Sequence, residues 1–374
     1  MIYILIFISA IFLAYSNGAN DNFKGVATLF GSGTTNYKKA INWATITTAL
    51  GSIVSIFFAS ALVKNFSGKG LVPDQLIATP QFAIAVAMGA ALTIMIATKI
   101  GMPVSTTHGL VGALTGVGLI AAGSAFNFGK LGSSFFFPLI ASPFIAATLS
   151  IIMYYFFTLT RKRTGITKES CICVTEAQPV AIAYAVKQPT SMIVSDSTTF
   201  NVKMGSIPSC FEQYNGTIAG VSAQKVLDTS HYISSGAVSF ARGLNDTPKM
   251  VGLLLLVQPL DVRLGAVAVA VAIAIGGLLN AKKVGETMSK KITEMNHGQG
   301  FTANLVTAIL VSTASFNGLP VSTTHVSVGS LFGIGTVIKK TNTKVVSSIL
   351  LSWVLTLPIA ALISGCVYLL IKNI

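Results

Sequence analysis

Apolar runs about 20 residues long alternate along the chain with short polar interruptions, and a run of that length is what a helix needs to cross the hydrocarbon of a bilayer. The first run, MIYILIFISAIFLA, stops at YSNGANDNFKG and turns apolar again at Val26. The pattern predicts spans at 1–33 (one long span broken at its Asn-Asp motif), 42–63, 80–98, 103–122 and 135–159. A second set follows at 226–256, 263–280, 298–316, 320–338 and 345–371. The segment VLDTSHYISSGAVSFAR in the second set is too polar for hydropathy to find, and alignment with the first set supplies it.

That alignment exists because the chain is written twice. Gly18-Ala19-Asn20-Asp21 returns as Gly243-Leu244-Asn245-Asp246, shifted by 225, and Lys24 matches Lys249 at the same shift. GMPVSTTHG from Gly101 returns as GLPVSTTHV from Gly318, shifted by 217. Five spans per copy is an odd number, so the copies are expected to enter the membrane in opposite orientations. Loop charges agree with one topology, both termini outside. In copy one, inside loops hold six basic residues (among them Lys38, Lys99 and Arg161) against three outside; in copy two, seven (among them Lys282, Lys290 and Lys340) against two. The expected fold is therefore an all-α polytopic membrane protein. It comprises a first repeat at 1–159, a second, inverted repeat at 226–374, and helices broken at the midplane. Residues 160–225 follow Arg161-Lys162-Arg163 and read as a small, partly β, cytoplasmic linker domain.

Composition supports a membrane reading: 52% of the 374 residues are hydrophobic and 10% charged, with a mean hydropathy of +0.74, where a soluble domain carries about 25% charged residues. The net charge of +14 would suggest nucleic acid in a soluble chain; here loop lysines account for it, and no nucleic-acid partner is expected. The N-terminal run lacks a basic start and a small-x-small cleavage site, so it is not read as a secretion signal. Cys171-x-Cys173 is a weak metal signal, and the four cysteines show no zinc-type spacing.

Charged groups at membrane depth are costly and need partners. For Asp21 and Asp246 two readings are open. One is a structural ion pair with Lys24 or Lys249, three residues on and on the same helical face. The other is a cation site. Gly18 and Gly243 would let each helix break, and freed carbonyls with the carboxylates and the oxygens of Asn20 and Asn245 form a hard oxygen shell suited to Na⁺. The second motif has the opposite preference. Pro and Ser/Thr are ordinary at a helix start, but three hydroxyls in succession, in both copies, exceed that need. A helix N-terminus presents free N–H groups and a positive dipole end. Ser105, Thr106 and Thr107, brought against Ser322, Thr323 and Thr324, would make a cage for a tetrahedral oxyanion.

Other residues carry two readings each. His108 and His325 donate either to the anion or to a neighbouring backbone carbonyl. Arg242, at the position of Asn17 in the first copy, holds or gates the anion, or is structural. Glu286, whose counterpart is Ala61, is a surface carboxylate near a loop, or has a cation or gate role. Ser, His and Asp are present, yet no separate carboxylate orients a base for nucleophilic catalysis, so no enzyme is expected. A channel would need a continuous polar stripe, and the polar residues form two islands.

At GANDNFKG, GLNDTPKM, PVSTTHG and PVSTTHV the sequence resembles the PiT family of inorganic phosphate transporters, and SFARGLND and AKKVGET look like that family's second half. The resemblance spans both copies and leaves out the linker. It implies a secondary active transporter, cation-coupled symport of inorganic phosphate by alternating access, with Na⁺ as co-transported ion and no cofactor. It also implies a multi-pass protein of the plasma membrane, commonly a homodimer. Cation binding would fall to Asp21 and Asp246 with Asn20 and Asn245, and phosphate to the two Ser-Thr-Thr triplets, with the two asparagines close enough to share it. Proton-coupled or metal-phosphate symport and sulfate carriage are the alternatives in the same fold, an anion channel a more distant one. Lys24 and Lys249 depart from the small or polar residues expected of the family, and their charges would neutralise the aspartates when no cation is bound.

Overall fold

The computed structural model describes residues 2–58, 60–169, 173–176, 200–203, 213–254 and 262–373. The first half runs α1 (Ile2–Asp21), α2 (Ala27–Gly31), α3 (Tyr37–Phe58), α4 (Ser60–Phe66), α5 (Asp74–Ile77), α6 (Pro80–Lys99), α7 (Thr106–Ala122), α8 (Phe128–Leu131) and α9 (Phe137–Arg163). The second half runs α10 (Ala223–Leu254), α11 (Val262–Asn280), α12 (Lys282–Glu286), α13 (His297–Phe316), α14 (Thr323–Val337) and α15 (Thr343–Ile371). Each of the ten expected spans has a helix at its place, with ends moved by a few residues. Between the halves the described residues form three antiparallel strand pairs: β1 (Thr167–Glu169) with β4 (Gln213–Asn215), β2 (Cys173–Glu176) with β3 (Phe200–Lys203), and β5 (Thr217–Ile218) with β6 (Val221–Ser222). Cys171 lies outside the described residues, so the Cys171-x-Cys173 signal cannot be followed there. Among the described residues no cluster of His, Cys, Asp and Glu has the makings of a metal site.

Among the described residues seven segments are long and apolar enough to cross a membrane, beginning at Ile2, Tyr37, Pro80, Thr106, Phe128, Arg263 and Thr343. Large apolar side chains stand exposed along them: Ile46, Leu50, Ile53 and Phe57 on α3, Phe144 and Ile152 on α9, Val354 and Leu362 on α15. A water-soluble surface does not carry such continuous apolar faces, whereas lipid accepts them. The helices α10, α13 and α14 fall short of the same test. The first is polar at its start, and the third has 15 residues.

Partners are exchanged between the two halves. α1 packs on α11 and α10 packs on α3; α7 packs on α15 and α14 packs on α9. The close approaches repeat at matching positions. A Cβ on Gly18 would stand 2.0 Å from the Ile273 carbonyl oxygen, and one on Gly243 would stand 2.1 Å from that of Thr48. Ile273 and Thr48 are themselves 225 apart. The pair Gly51 on Phe240 and Gly276 on Tyr15, each at 2.0 Å, behaves the same way. Gly18 and Gly243 were expected to break their helices; instead each lies inside a helix and lets another backbone come close.

The break itself comes three residues later and in one copy. After Asp21 the chain tightens into a 3₁₀ turn at Lys24–Val26 before α2 begins. Phe23 turns out to stack on Tyr37 (centroids 4.7 Å apart) and meets Phe30 edge-on at 5.7 Å. Its counterpart Pro248 has no such ring to bury and a φ already suited to helix, and α10 runs unbroken through the second Asn-Asp motif. The expectation of a broken helix therefore holds for the first copy and not for the second.

Candidate functional site

The second motif is a helix stop followed at once by a helix start. At the end of α6, Gly101 (φ +76°) donates to Thr98 O at 3.0 Å and Met102 to Ala97 O at 2.9 Å. At the end of α13, Gly318 (φ +66°) donates to Ser315 O at 3.1 Å and Leu319 to Ala314 O at 2.9 Å. This left-handed closure satisfies the last carbonyls of a helix and suits glycine. Pro-Val then lies outside any helix, and Ser105 and Ser322, both extended, cap the next helices, their hydroxyls accepting from the backbone N–H of His108 (3.1 Å) and His325 (3.2 Å). The turn leaves the carbonyls of Val104 and Val321 outside any helix and open to other donors.

Those donors come from the opposite copy. Thr324 Oγ1 donates to Val104 O at 3.0 Å, and Thr107 Oγ1 donates to Val321 O at 3.1 Å. Two helix starts thus face each other, and the rings of His108 and His325 meet with centroids 4.4 Å apart. Thr106 donates to Asp21 Oδ2 at 3.1 Å, while Thr323 opens α14 and is buried.

The Asn-Asp motifs lock onto this junction. Lys24 Nζ donates to Asp21 Oδ1 (2.5 Å), Asn20 Oδ1 (2.8 Å), Val104 O (2.7 Å) and Thr324 Oγ1 (2.7 Å). Lys249 Nζ donates to Asp246 Oδ1 (2.8 Å), Thr107 Oγ1 (2.8 Å) and Val321 O (3.3 Å), and lies 5.6 Å from the centre of the Phe66 ring. Asn20 also donates to Thr98 Oγ1 (2.9 Å) and Met102 O (3.0 Å), and accepts from Val104 N–H (3.1 Å). Asn245 donates to Val321 O (3.2 Å) and accepts from Ser315 Oγ (3.3 Å). Asp21 is 1% exposed, Lys24 2%, Asp246 1% and Lys249 0%. The Asp–Lys ion pairs are therefore formed, each ammonium enclosed by carboxylate, carbonyl and hydroxyl oxygens.

Arg242 joins the two halves. It donates to Asn22 Oδ1 (2.7 Å), Thr48 Oγ1 (3.0 Å) and Asn17 Oδ1 (3.4 Å), and one guanidinium nitrogen stands 3.9 Å from Asp246 Oδ2. Its Nε is buried without a hydrogen-bond partner among the described residues. His325 follows the backbone-carbonyl reading, its Nδ1–H donating to Leu139 O at 3.0 Å, whereas His108 Nδ1 is buried with no hydrogen-bond partner among the described residues. Glu286 is half-buried at the end of α12, within electrostatic reach of Tyr37, and takes no part in the bonds around Asp21 and Asp246 named above.

Three partners went unnoticed in the sequence. Asn17 Nδ2 bridges Asp21 Oδ2 and Asp246 Oδ2, both at 3.2 Å, and reaches Thr106 Oγ1 at 2.9 Å. Thr98 and Ser315 hold the two asparagines. Both signals were present: Asn17 stands at Arg242's position in the repeat, and a hydroxyl residue precedes the motif glycine by three in each copy.

Fold and site define a multi-pass membrane protein whose buried charges gather where two helix starts meet. The chain belongs to the phosphate transporter family, whose model matches residues 17–364. It is 29% identical to a phosphate permease homologue of Pyrococcus abyssi (98% of this chain, 96% of that one). To a low-affinity inorganic phosphate transporter homologue of Rhizobium meliloti it is 26% identical (96% and 93% covered). Its fold matches a solved structure titled the sodium-dependent phosphate transporter, with a TM-score of 0.78, 24% identity, and 100% and 99% coverage. These relatives are transporters and permeases, not enzymes.

Proposed function

We propose that this protein carries inorganic phosphate across the plasma membrane by alternating access, in symport with a cation. One observation carries the reading: the two Ser-Thr-Thr helix starts face each other and are bonded to both Asn-Asp motifs. Helix N-termini meeting in a water-poor interior favour an oxyanion. Phosphate is assigned to Ser105, Thr106, Thr107, Ser322, Thr323 and Thr324, flanked by Asn20 and Asn245. Sodium at Asp21 and Asp246 is the coupling reading that the solved neighbour's title supports, and it requires Lys24 and Lys249 to give up their places beside those carboxylates. The exchanged packing of α1 on α11 and α10 on α3 supports two repeats, 1–159 and 226–374, related by a pseudo-two-fold axis. We read them as inverted, with both termini outside and the linker at 160–225 in the cytoplasm, and the assembly as a homodimer. The phosphate-bearing helix starts would rock against the remaining helices, exposing the site to each side in turn.

A second reading, proton coupling, has one observation in its favour: both oxygen shells already hold a lysine ammonium. Radiolabelled phosphate uptake into liposomes under separately imposed Na⁺ and proton gradients, with sulfate and arsenate as competitors, tests the function. Uptake driven by neither gradient, or competed equally by sulfate, would refute phosphate symport.

A further inference from the structure

We infer that Lys24 and Lys249 are the resident cations of the two Asn-Asp sites, so that phosphate moves without sodium bound at Asp21 or Asp246. The inference rests on the phosphate-transport reading and decides which ion that transport requires.

The first observation is the make-up of the cage around Lys24 Nζ. A carboxylate (2.5 Å), an amide oxygen (2.8 Å), a free backbone carbonyl (2.7 Å) and a hydroxyl (2.7 Å) converge on it. An ammonium has three protons to donate, and four oxygens surround this one, as they would a spherical ion. Carboxylate, carbonyl and hydroxyl oxygens are the ligands that hard cations prefer. These four come from both halves of the chain: Asn20 and Asp21 from α1, Val104 from the turn before α7, and Thr324 from α14. The second cage repeats the carboxylate, carbonyl and hydroxyl with the halves exchanged, from Asp246, Val321 and Thr107. A lysine at the surface would pair with one carboxylate and water. Here each ammonium completes a site assembled from distant segments, and the tether is three residues long.

The second observation is the charge count. Among the described residues the buried Asp, Lys and Arg side chains are Asp21, Asp246, Lys24, Lys249 and Arg242. Two carboxylates face three cations, which leaves one positive charge, and a singly charged dihydrogen phosphate would balance it. Two added sodium ions would raise the excess to three, with each ion forced against an ammonium that already holds its ligands. Like charges in a low-dielectric interior repel strongly, so a mobile cation and a seated lysine exclude each other. The lysines thus do permanently what a sodium ion does reversibly: they neutralise Asp21 and Asp246 and tie the Asn-Asp helices to the phosphate-bearing turns. Conformational change no longer waits for sodium to bind.

The test uses the full-length protein in liposomes, with radiolabelled phosphate and the membrane potential held fixed. Uptake by the unaltered protein is expected to change less than about twofold when all sodium is replaced by choline, because no sodium ligand is vacant. The double variant Lys24→Ala, Lys249→Ala is expected to lose most uptake in choline and to regain it as sodium is added, the emptied cages now accepting the ion. Uptake by the unaltered protein that stops without sodium would overturn the inference while leaving phosphate transport in place. Absence of phosphate uptake under any gradient would instead refute the transport reading itself. If the double variant does not fold, radioactive sodium binding to the unaltered protein in detergent decides the matter. No saturable sodium binding linked to phosphate is expected, and two saturable sodium sites would overturn the assignment.

Discussion

His108 and His325 occupy the same place in the two Pro-Val-Ser-Thr-Thr-His motifs, and their rings meet with centroids 4.4 Å apart. Equivalent residues of the two motifs are therefore in contact. Arg242 and Asn17, also equivalent by the repeat, are hydrogen-bonded at 3.4 Å. Around these contacts the buried charges of the two halves meet: Asn17 donates to Asp246 Oδ2 at 3.2 Å, and Arg242 stands 3.9 Å from the same oxygen.

Breaking one ion pair is expected to cost more than removing it whole. Asp21→Asn leaves the Lys24 ammonium buried without its carboxylate, a loss of about 3–5 kcal/mol for a buried pair. Adding Lys24→Met should recover much of that stability while phosphate uptake stays impaired. Thermal unfolding of the single and double variants in detergent checks this. Equal melting temperatures for the two would show that the pair is not the partner that matters.

The helix crossings predict a second asymmetry between small and large residues. Gly18→Ala would set a Cβ 2.0 Å from the Ile273 carbonyl oxygen, and Gly276→Ala would set one 2.0 Å from that of Tyr15. Since the obstacle is backbone, the two helices must separate, and overpacking of this kind costs about 1–3 kcal/mol or more. Both variants should lose thermal stability, whereas Gly123→Ala, whose Cβ meets nothing within 4 Å, should lose less despite its positive φ.

Much of this arrangement was legible in the sequence, for a definite reason. Because the motifs recur at nearly constant offset, even the polar start of α10 could be placed, and the Asp21–Lys24 spacing already named the ion pair as one reading. The exchange of partners was not legible: an offset of 225 says which residues are equivalent, and nothing about which ones touch. Gly18 was read as a hinge because glycine permits both a bend and a close approach, and sequence does not separate the two. Gly243 was read in the same way, yet α10 runs unbroken past it and past Pro248. Val104 and Val321 could not be found at all, since they contribute carbonyls and any residue has one.

Arg242 is expected to set phosphate affinity. Its charge is the one left over after Asp21 and Asp246 are paired with the lysines, and its Nε has no hydrogen-bond partner among the described residues. Arg242→Gln keeps polar contact with Asn22 and Thr48 but removes the excess charge. A hydrogen bond to a charged group contributes about 1.5–3 kcal/mol, so phosphate binding by calorimetry should weaken by roughly tenfold or more at constant pH. Unaltered affinity would assign the arginine to holding the two halves together and nothing further.

The last expectation concerns a reporter built into the site. The chain has two tryptophans. Trp353 is 5% exposed, stacks on the His325 ring at 3.8 Å, and donates from Nε1 to Pro103 O at 3.2 Å. It therefore touches the His325 side of one motif and the turn that precedes the helix start of the other. Trp43 is remote from both motifs in its bonding, donating to Tyr232 O at 3.0 Å. In a Trp43→Phe protein, emission comes from Trp353 alone. Any anion that settles between the two helix starts must shift Pro103 or His325 against the indole, so phosphate should change the emission saturably and chloride should not. An emission spectrum indifferent to phosphate, in protein shown to transport it, would move the anion away from this junction.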